Sequence, residues 1–68
     1  MARYYVNKNA QSTGEHEVHK AGCSHMPDRV NLTYLGEFLT CHPAIAAAKE
    51  HYTRVDGCYY CCPACHKR

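Results

Sequence analysis

This 68-residue sequence has few large side chains with which to build a hydrophobic core. It contains no tryptophan and one phenylalanine, and most of its aromatic residues are its six tyrosines. A chain of this length buries only about 60% of the surface that its unfolded form exposes. Domains below roughly 70–80 residues usually depend on disulfides, a bound ion or a partner subunit for stability. We therefore expect residues 1–68 to form one small domain that needs a crosslink.

Long apolar segments are also absent from the sequence. Residues 1–8 contain no apolar run of the about 7–15 residues that a secretory signal requires. No window approaches the roughly 18 apolar residues of a membrane span. These absences predict a cytoplasmic protein with no membrane partner. Thiols stay reduced in the cytoplasm, where clustered cysteines bind metal more often than they form disulfides. A disulfide-stapled domain that works outside the cytoplasm is the alternative.

Neither sign of charge dominates, since eight Lys and Arg against six Asp and Glu give a formal net charge of +2. So small a charge provides little attraction to phosphate, and nucleic acid is only weakly supported as a partner. The basic cluster of the chain is the C-terminal His66-Lys67-Arg68. This cluster is typical of a solvated chain end.

Cysteine and histidine are abundant, with six of each. Four cysteines lie within residues 58–65 as two adjacent CxxC pairs, Cys58/Cys61 and Cys62/Cys65. Two thiolates spaced in this way on a tight turn can hold one metal ion, and structural zinc takes four such ligands. Cys62 and Cys65 form the better pair because Pro63 presets the turn between them. The segment therefore predicts half of a zinc site.

The other two ligands must come from elsewhere in the chain. His19 and Cys23 are the best candidates, so the predicted zinc site consists of His19, Cys23, Cys62 and Cys65. Such a site closes most of the chain into one loop, and zinc binding supplies on the order of 10 kcal/mol. The reserve ligands are His25, Cys41, Cys58 and Cys61. We expect His16, His42 and His51 to be surface residues, because none has a cysteine at ligand spacing.

The order of polar and apolar residues predicts three strands and one helix. Residues 3–7, 15–20 and 32–38 are predicted strands, and Gly36 indicates a bulge in the third. Residues 41–55 are the predicted helix, with Thr40 as its N-cap and Asp56-Gly57 as its end. Cys41 lies on the apolar stripe of this helix, where a buried small side chain is favoured over a ligand. The fold class is α+β: a small three-stranded antiparallel sheet, one covering helix and a C-terminal cysteine knuckle, stabilised by zinc.

Several segments together resemble a family of small uncharacterised bacterial proteins. The shared segments are residues 5–11, 16–19, 22–23, 34–38 and 56–66, together with Cys41. The resemblance extends over nearly the whole chain. It implies no particular activity, because none is established for that family.

The spacings His19-x3-Cys23 and Cys62-x2-Cys65 are similar to those of the zinc-binding N-terminal domain of the Ada DNA-repair protein. That domain pairs two cysteines spaced by three residues with a later CxxC. In Ada-like domains a zinc-bound cysteine accepts a methyl group from DNA phosphotriesters. His19 stands where one such cysteine would be, so the resemblance implies a zinc-held fold and not methyl transfer.

The pattern of residues indicates a binding protein rather than an enzyme. His16-Glu17-Val18-His19 is one residue short of the metalloprotease motif HExxH, and it lies on a predicted strand. The function predicted is a zinc-stabilised module that binds an unknown macromolecule, protein or nucleic acid. The alternatives are a thiol-based sensor of oxidants or metal, using the spare cysteines among Cys58, Cys61 and Cys62, and the disulfide-stapled extracytoplasmic domain.

Overall fold

The fold combines one four-stranded sheet with one α-helix in a computed structural model that describes residues 1–67. The elements in chain order are β1 (Ala2–Asn7), β2 (His16–Lys20), β3 (Leu32–Phe38), α1 (Cys41–Ala48) and β4 (Val55–Gly57). Two 3-10 turns, Arg29–Asn31 and Pro63–Cys65, precede β3 and follow β4. The strand order is β3-β1-β2-β4, with β1 antiparallel to β2 and β3, and with β4 parallel to β2.

The α+β class with one helix is confirmed, and β1, β2 and β3 lie within one residue of their predicted bounds. The prediction of a three-stranded, wholly antiparallel sheet is wrong, because β4 adds a fourth strand in parallel orientation. A three-residue strand is too short to show an alternating pattern in the sequence. The parallel pair is therefore a feature of tertiary structure that local sequence does not reveal.

The helix ends at Ala48 and not at residue 55, so the predicted helix end at Asp56-Gly57 is also wrong. Contacts with residues 15 and 16, at the start of β2, explain the early end. The ring of Tyr52 stacks on His16 with 3.7 Å between centroids, and the Arg54 guanidinium lies 2.9 Å from the buried Glu15 carboxylate. These contacts draw the chain after the helix into an extended path alongside β2. They outweigh the helical propensity of residues 49–54.

The core lies between the sheet and the helix. Tyr4 and Val6 alternate along β1 toward this face, as expected for a half-buried strand, and Val18 of β2 joins them. Ala44 and Ala48 present the buried face of α1. The small alanine side chains allow the helix to approach the sheet closely. Cys41, Cys62 and Cys65 complete the same apolar cluster.

The predicted bulge at Gly36 is present in β3. Tyr4 pairs with Gly36 but Tyr5 pairs with Tyr34, so Leu35 is an additional residue in β3. Gly36 has φ +133°, in a region that side chains rarely adopt. The bulge therefore accounts for a glycine within an otherwise regular strand.

Gly57, the last residue of β4, lies directly beneath the C-terminal segment. A Cβ at this position would stand 2.8 Å from the carbonyl oxygen of Cys62 and 2.8 Å from Cβ of Cys65. Glycine is thus required here by close packing of the backbone, and not by a positive φ. The close approach keeps the cysteine segment against β4.

No helix within residues 1–67 is long and apolar enough to cross a membrane. Of the basic cluster His66-Lys67-Arg68, the last residue lies outside the described part of the chain. His66 contacts Asp56 and the carbonyl oxygen of Gly57, at 3.3 and 2.9 Å respectively. The beginning of this cluster is therefore attached to β4.

Candidate metal centre

The parallel pairing of β4 with β2 brings the first CxxC pair to His19. Val18 is opposite Gly57, and the amide of Cys58 donates a hydrogen bond of 2.9 Å to the carbonyl oxygen of Val18. Cys58 is therefore placed next to His19, the residue that follows Val18 in β2. The pairing links the centre of β2 to the start of the cysteine segment.

A tight turn then returns Cys61 to the end of β2. The amide of Cys62 donates to the carbonyl oxygen of Cys58 at 2.8 Å, which closes residues 58–62 into a loop. The amide of Lys20 donates to Sγ of Cys61 at 3.2 Å. A backbone N–H directed at sulfur stabilises negative charge on it, so this contact favours the thiolate form that binds metal.

The turn that follows β2 brings Cys23 close to Cys58 and Cys61. Its amide donates to the carbonyl oxygen of Lys20 at 3.1 Å. Gly22 within this turn has φ +90°, which glycine adopts without steric cost. The turn reverses the chain and places the Cys23 side chain beside that of Cys58.

Four ligand atoms converge as a result. One from each of His19, Cys23, Cys58 and Cys61 lies within 4.8 Å of all the others. Sγ of Cys23 is 3.8 Å from Sγ of Cys58, and Sγ of Cys61 is 3.9 Å from Nδ1 of His19. In a tetrahedral zinc site with Zn–S bonds of about 2.3 Å, two sulfurs are about 3.8 Å apart. The separations therefore fit four ligands around one tetrahedral ion.

The environment of His19 also suits a metal ligand. The side chain is 1% exposed, and its Nε2 lies 3.3 Å from Oε1 of Glu17. Burial lowers the pKa of His19, and neighbouring His25 lowers it further, while Glu17 acts in the opposite direction. The net effect favours neutral imidazole, which is the form that coordinates metal.

Burial raises the pKa of the Cys61 thiol, and the neighbouring cysteine thiols add to this, whereas the Lys20 amide opposes it. In the metal-free protein Cys61 is therefore held in its protonated form. A divalent cation at the centre of the cluster reverses this preference, because a coordinating thiol is deprotonated. A divalent cation that replaces the thiol proton would therefore stabilise the Cys61 thiolate in the cluster.

The structure places the second CxxC pair outside this cluster. Cys65 forms a disulfide with Cys41, and both residues are buried. Cys62 is a free thiol that is 2% exposed and packs in the core, although its Sγ lies 3.9 Å from Sγ of Cys61. The structure thus combines the predicted ligands His19 and Cys23 with the reserves Cys58 and Cys61, and does not bring Cys65 to them.

A cavity of about 420 Å³ gives access to the cluster from solvent. It is lined by Lys20, Ala21, Gly22, Cys23, Ser24, Tyr60 and Cys61. Cys23 and Cys61 are half-buried, whereas His19 and Cys58 are fully buried. The cavity provides a path by which an ion can enter, with two thiols nearest to solvent and the other two ligands behind them.

Tyr59 and Tyr60, in the loop between Cys58 and Cys61, are 62% and 63% exposed. Tyr60 borders the mouth of the cavity, and its ring stacks on that of His25 with 3.6 Å between centroids. The rings of Tyr59 and Tyr60 contact each other edge to face. Both tyrosines thus present most of their surface to solvent beside the cluster.

Comparisons of the chain with protein-family models, curated proteins and solved structures found no match. The resemblances to a bacterial family and to the Ada zinc domain stay predictions. The geometry of the cluster itself is therefore the basis for assigning a function.

Proposed function

We propose that this protein is a small zinc-stabilised binding module in which His19, Cys23, Cys58 and Cys61 hold the ion. The observation that carries the proposal is the convergence of these four ligand atoms within 4.8 Å of one another. The four come from β2, the turn after it and the segment after β4. One ion would thus crosslink three separate parts of the chain.

The donor set supports zinc over other divalent ions. Three thiolates and one imidazole form a Cys3His set, which is common in structural zinc sites, while calcium and magnesium require oxygen ligands. The Glu17 carboxylate beside Nε2 of His19 supplies the outer contact that zinc-binding histidines usually make. The binding free energy of structural zinc is on the order of 10 kcal/mol, and the fold gains the part that the free zinc concentration sets, about 4 kcal/mol at a thousandfold excess over Kd.

The exposed tyrosines support a role in binding. Tyr59 and Tyr60 lie between two of the ligands, so an ion bound by Cys58 and Cys61 fixes the loop that carries them. Exposed tyrosines on a rigid support are common anchors of protein interfaces. Zinc with three thiolates and a neutral histidine carries one net negative charge, which disfavours a phosphate backbone beside the loop. A protein partner is therefore favoured over nucleic acid.

The first experiment is metal analysis of protein purified without chelator. We expect about one zinc per chain, with zinc-edge X-ray absorption showing three sulfur ligands at about 2.3 Å and one nitrogen at about 2.0–2.1 Å. Protein free of metal that also fails to bind added zinc would contradict the proposal.

The binding role needs its own test. Zinc-loaded protein is immobilised and compared with the double variant Tyr59→Ser/Tyr60→Ser in capture of proteins and of polynucleotides. We expect specific protein capture that the double variant loses while keeping its zinc. Capture of polynucleotide alone, with a steep dependence on salt, would identify nucleic acid as the partner instead. Capture of neither would refute the binding role and leave the metal site intact.

A thiol-based sensor is the second candidate, and the 3.9 Å between Sγ of Cys61 and Sγ of Cys62 is the observation that favours it. Peroxide would oxidise this pair to a disulfide: it takes two electrons from the two sulfurs, one proton from the Cys62 thiol and one proton from solvent, and becomes two molecules of water. Loss of Cys61 as a ligand would then release the ion. Rapid zinc release by peroxide that is abolished in Cys62→Ala would favour the sensor, and equal release from both proteins would exclude this mechanism.

A further inference from the structure

A second group of metal-ligand atoms lies at the start of the helix, and it shares no residue with the four-ligand cluster. One ligand atom from each of Cys41, His42 and Cys65 lies within 4.8 Å of the other two. Cys41 and His42 are the first two residues of α1, and Cys65 ends the Pro63–Cys65 turn. Cys41 and Cys65 are joined by a disulfide in the structure.

We propose that reduction of the Cys41–Cys65 disulfide creates a second metal site, in which Cys41, His42 and Cys65 bind a thiophilic divalent ion such as zinc. The site has three protein ligands, so its fourth coordination position is available to water or a small ligand. This proposal does not depend on the four-ligand cluster, and either site can fail without the other.

The spacing of the three residues supports the site. The Cα atoms of Cys41 and Cys65 are 6.4 Å apart, so both side chains can reach a common point. Nδ1 of His42 lies 3.6 Å from Sγ of Cys65. With Zn–S bonds of about 2.3 Å and Zn–N bonds of about 2.0–2.1 Å, a tetrahedral ion separates sulfur from nitrogen by about 3.6 Å. His42 is therefore already at ligand distance from one sulfur.

The three residues differ in burial, and the side of the site toward His42 is open to solvent. Cys41 and Cys65 are 7% and 6% exposed, whereas His42 is exposed. An ion bound here would be enclosed by the two sulfurs on the protein side and bounded by His42 toward solvent. The remaining coordination position would therefore face solvent.

The helix start favours the charge of the reduced site. Cys41 is the first residue of α1, where backbone amides have no acceptor within the helix and the helix dipole is positive. Cysteines at helix N-termini are more readily deprotonated for this reason. The three-ligand geometry remains the basis of the proposal, and the helix end adds favourable electrostatics.

The redox step is a thiol–disulfide exchange with an external dithiol. The Cys41–Cys65 bond breaks, its sulfurs gain two electrons and two protons, and the dithiol becomes a disulfide. The ion then displaces the two protons as it binds the thiolates. Disulfide and metal therefore exclude each other at this site, and metal occupancy reports the thiol redox state of the surroundings.

The test is a cobalt titration of metal-free full-length protein in two states. In one the Cys41–Cys65 disulfide is verified by peptide mapping, and in the other it has been reduced by a phosphine that is removed under anaerobic conditions. We expect the reduced protein to bind one more equivalent of cobalt than the oxidised protein. Its sulfur-to-cobalt charge-transfer absorption should be correspondingly stronger. The reduced Cys41→Ser/Cys65→Ser variant should lose this additional equivalent.

Replacement of His42 provides a test that does not disturb the core. Outer-sphere changes alone weaken metal binding by about 10–100-fold, so removal of a ligand in His42→Ala should weaken the additional equivalent at least about tenfold. His51→Ala, a change of another exposed histidine, is the matched control and should have no effect.

Two results would overturn the proposal: equal stoichiometry in the two redox states, or an additional equivalent that survives in Cys41→Ser/Cys65→Ser. If the oxidised protein binds no metal but the reduced protein binds one ion that this double variant loses, the new site is supported and the four-ligand cluster is refuted.

Discussion

The Glu17 carboxylate lies 3.3 Å from Nε2 of His19, while Nδ1 of the same ring lies 3.9 Å from Sγ of Cys61. If Nε2 carries the proton and donates it to Glu17, the lone pair of Nδ1 is directed at the cysteine cluster. In the proposed site the carboxylate would fix both the tautomer and the ring orientation of His19. This contact joins residues 17 and 19 of β2, whose side chains lie on the same face of the strand.

Replacing Glu17 by alanine should weaken zinc binding by about 10–100-fold, because His19 loses the acceptor that orients its ring. The measurement is competition for zinc with a chromophoric chelator. Glu37→Ala is the matched control, since Glu37 is an exposed strand residue that pairs only with Arg3 among the ion pairs of residues 1–67. Equal affinities for the two variants would contradict the orienting role.

Replacing Gly57 by alanine should destabilise the protein by about 1–3 kcal/mol, as overpacking of a tight contact does. The added methyl group would meet backbone atoms of Cys62 and Cys65 at 2.8 Å, and these cannot move without displacing the C-terminal segment. Urea unfolding of the zinc-loaded protein measures the change. Ser12→Ala, in the exposed loop between β1 and β2, should stay within about 0.5 kcal/mol of the parent.

Zinc affinity should rise with pH. Burial holds the pKa of Cys61 above that of an ordinary thiol in the metal-free protein, so zinc must displace its proton on binding. This proton alone makes the affinity increase about tenfold per pH unit between about pH 7 and pH 8. The pKa of His19 is lowered, so His19 is already neutral there and contributes no proton. In Cys61→Ser the slope of the logarithm of zinc affinity against pH should fall by about one. An unchanged slope would exclude Cys61 as a ligand.

Removing both crosslinks should unfold the chain, whereas removing one should only weaken it. The disulfide joins residues 24 apart in sequence, and closing such a loop stabilises the folded state by about 3–4 kcal/mol. Zinc at the proposed site would contribute independently by crosslinking β2 to the cysteine segment. Circular dichroism should show a cooperative thermal transition after chelation alone or reduction alone, and none after both treatments. A native transition after both would show that the apolar core suffices.

Much of the fold follows from local sequence, and the reasons are visible in particular residues. The aromatic and β-branched residues Tyr4, Tyr5 and Val6 give β1, and the turn residues after Asn7 give the hairpin with β2. The alanine-rich segment after Thr40 gives the start of the helix. Its end cannot be found in this way, because Tyr52 and Arg54 leave the helix to contact His16 and Glu15.

The ligand set shows a similar division. His19 and Cys23 are predicted from spacing, and the structure places both in the four-ligand cluster. Choosing between two adjacent CxxC pairs requires the parallel pairing of β2 with β4, which places Cys58 beside His19. The proximity of His42 to Cys65 is equally invisible in sequence, because it depends on where the C-terminal turn packs against the helix.

The proposed site takes its zinc ligands from the first CxxC pair and not from the second. Cys58 and Cys62 form a matched pair for testing it, since both are free thiols and are 1% and 2% exposed, so alanine causes a similar packing loss at each. The measurement is zinc stoichiometry and affinity of Cys58→Ala and Cys62→Ala. We predict that Cys58→Ala loses tight stoichiometric zinc while Cys62→Ala retains it. Retention by Cys58→Ala with loss in Cys62→Ala would contradict the account.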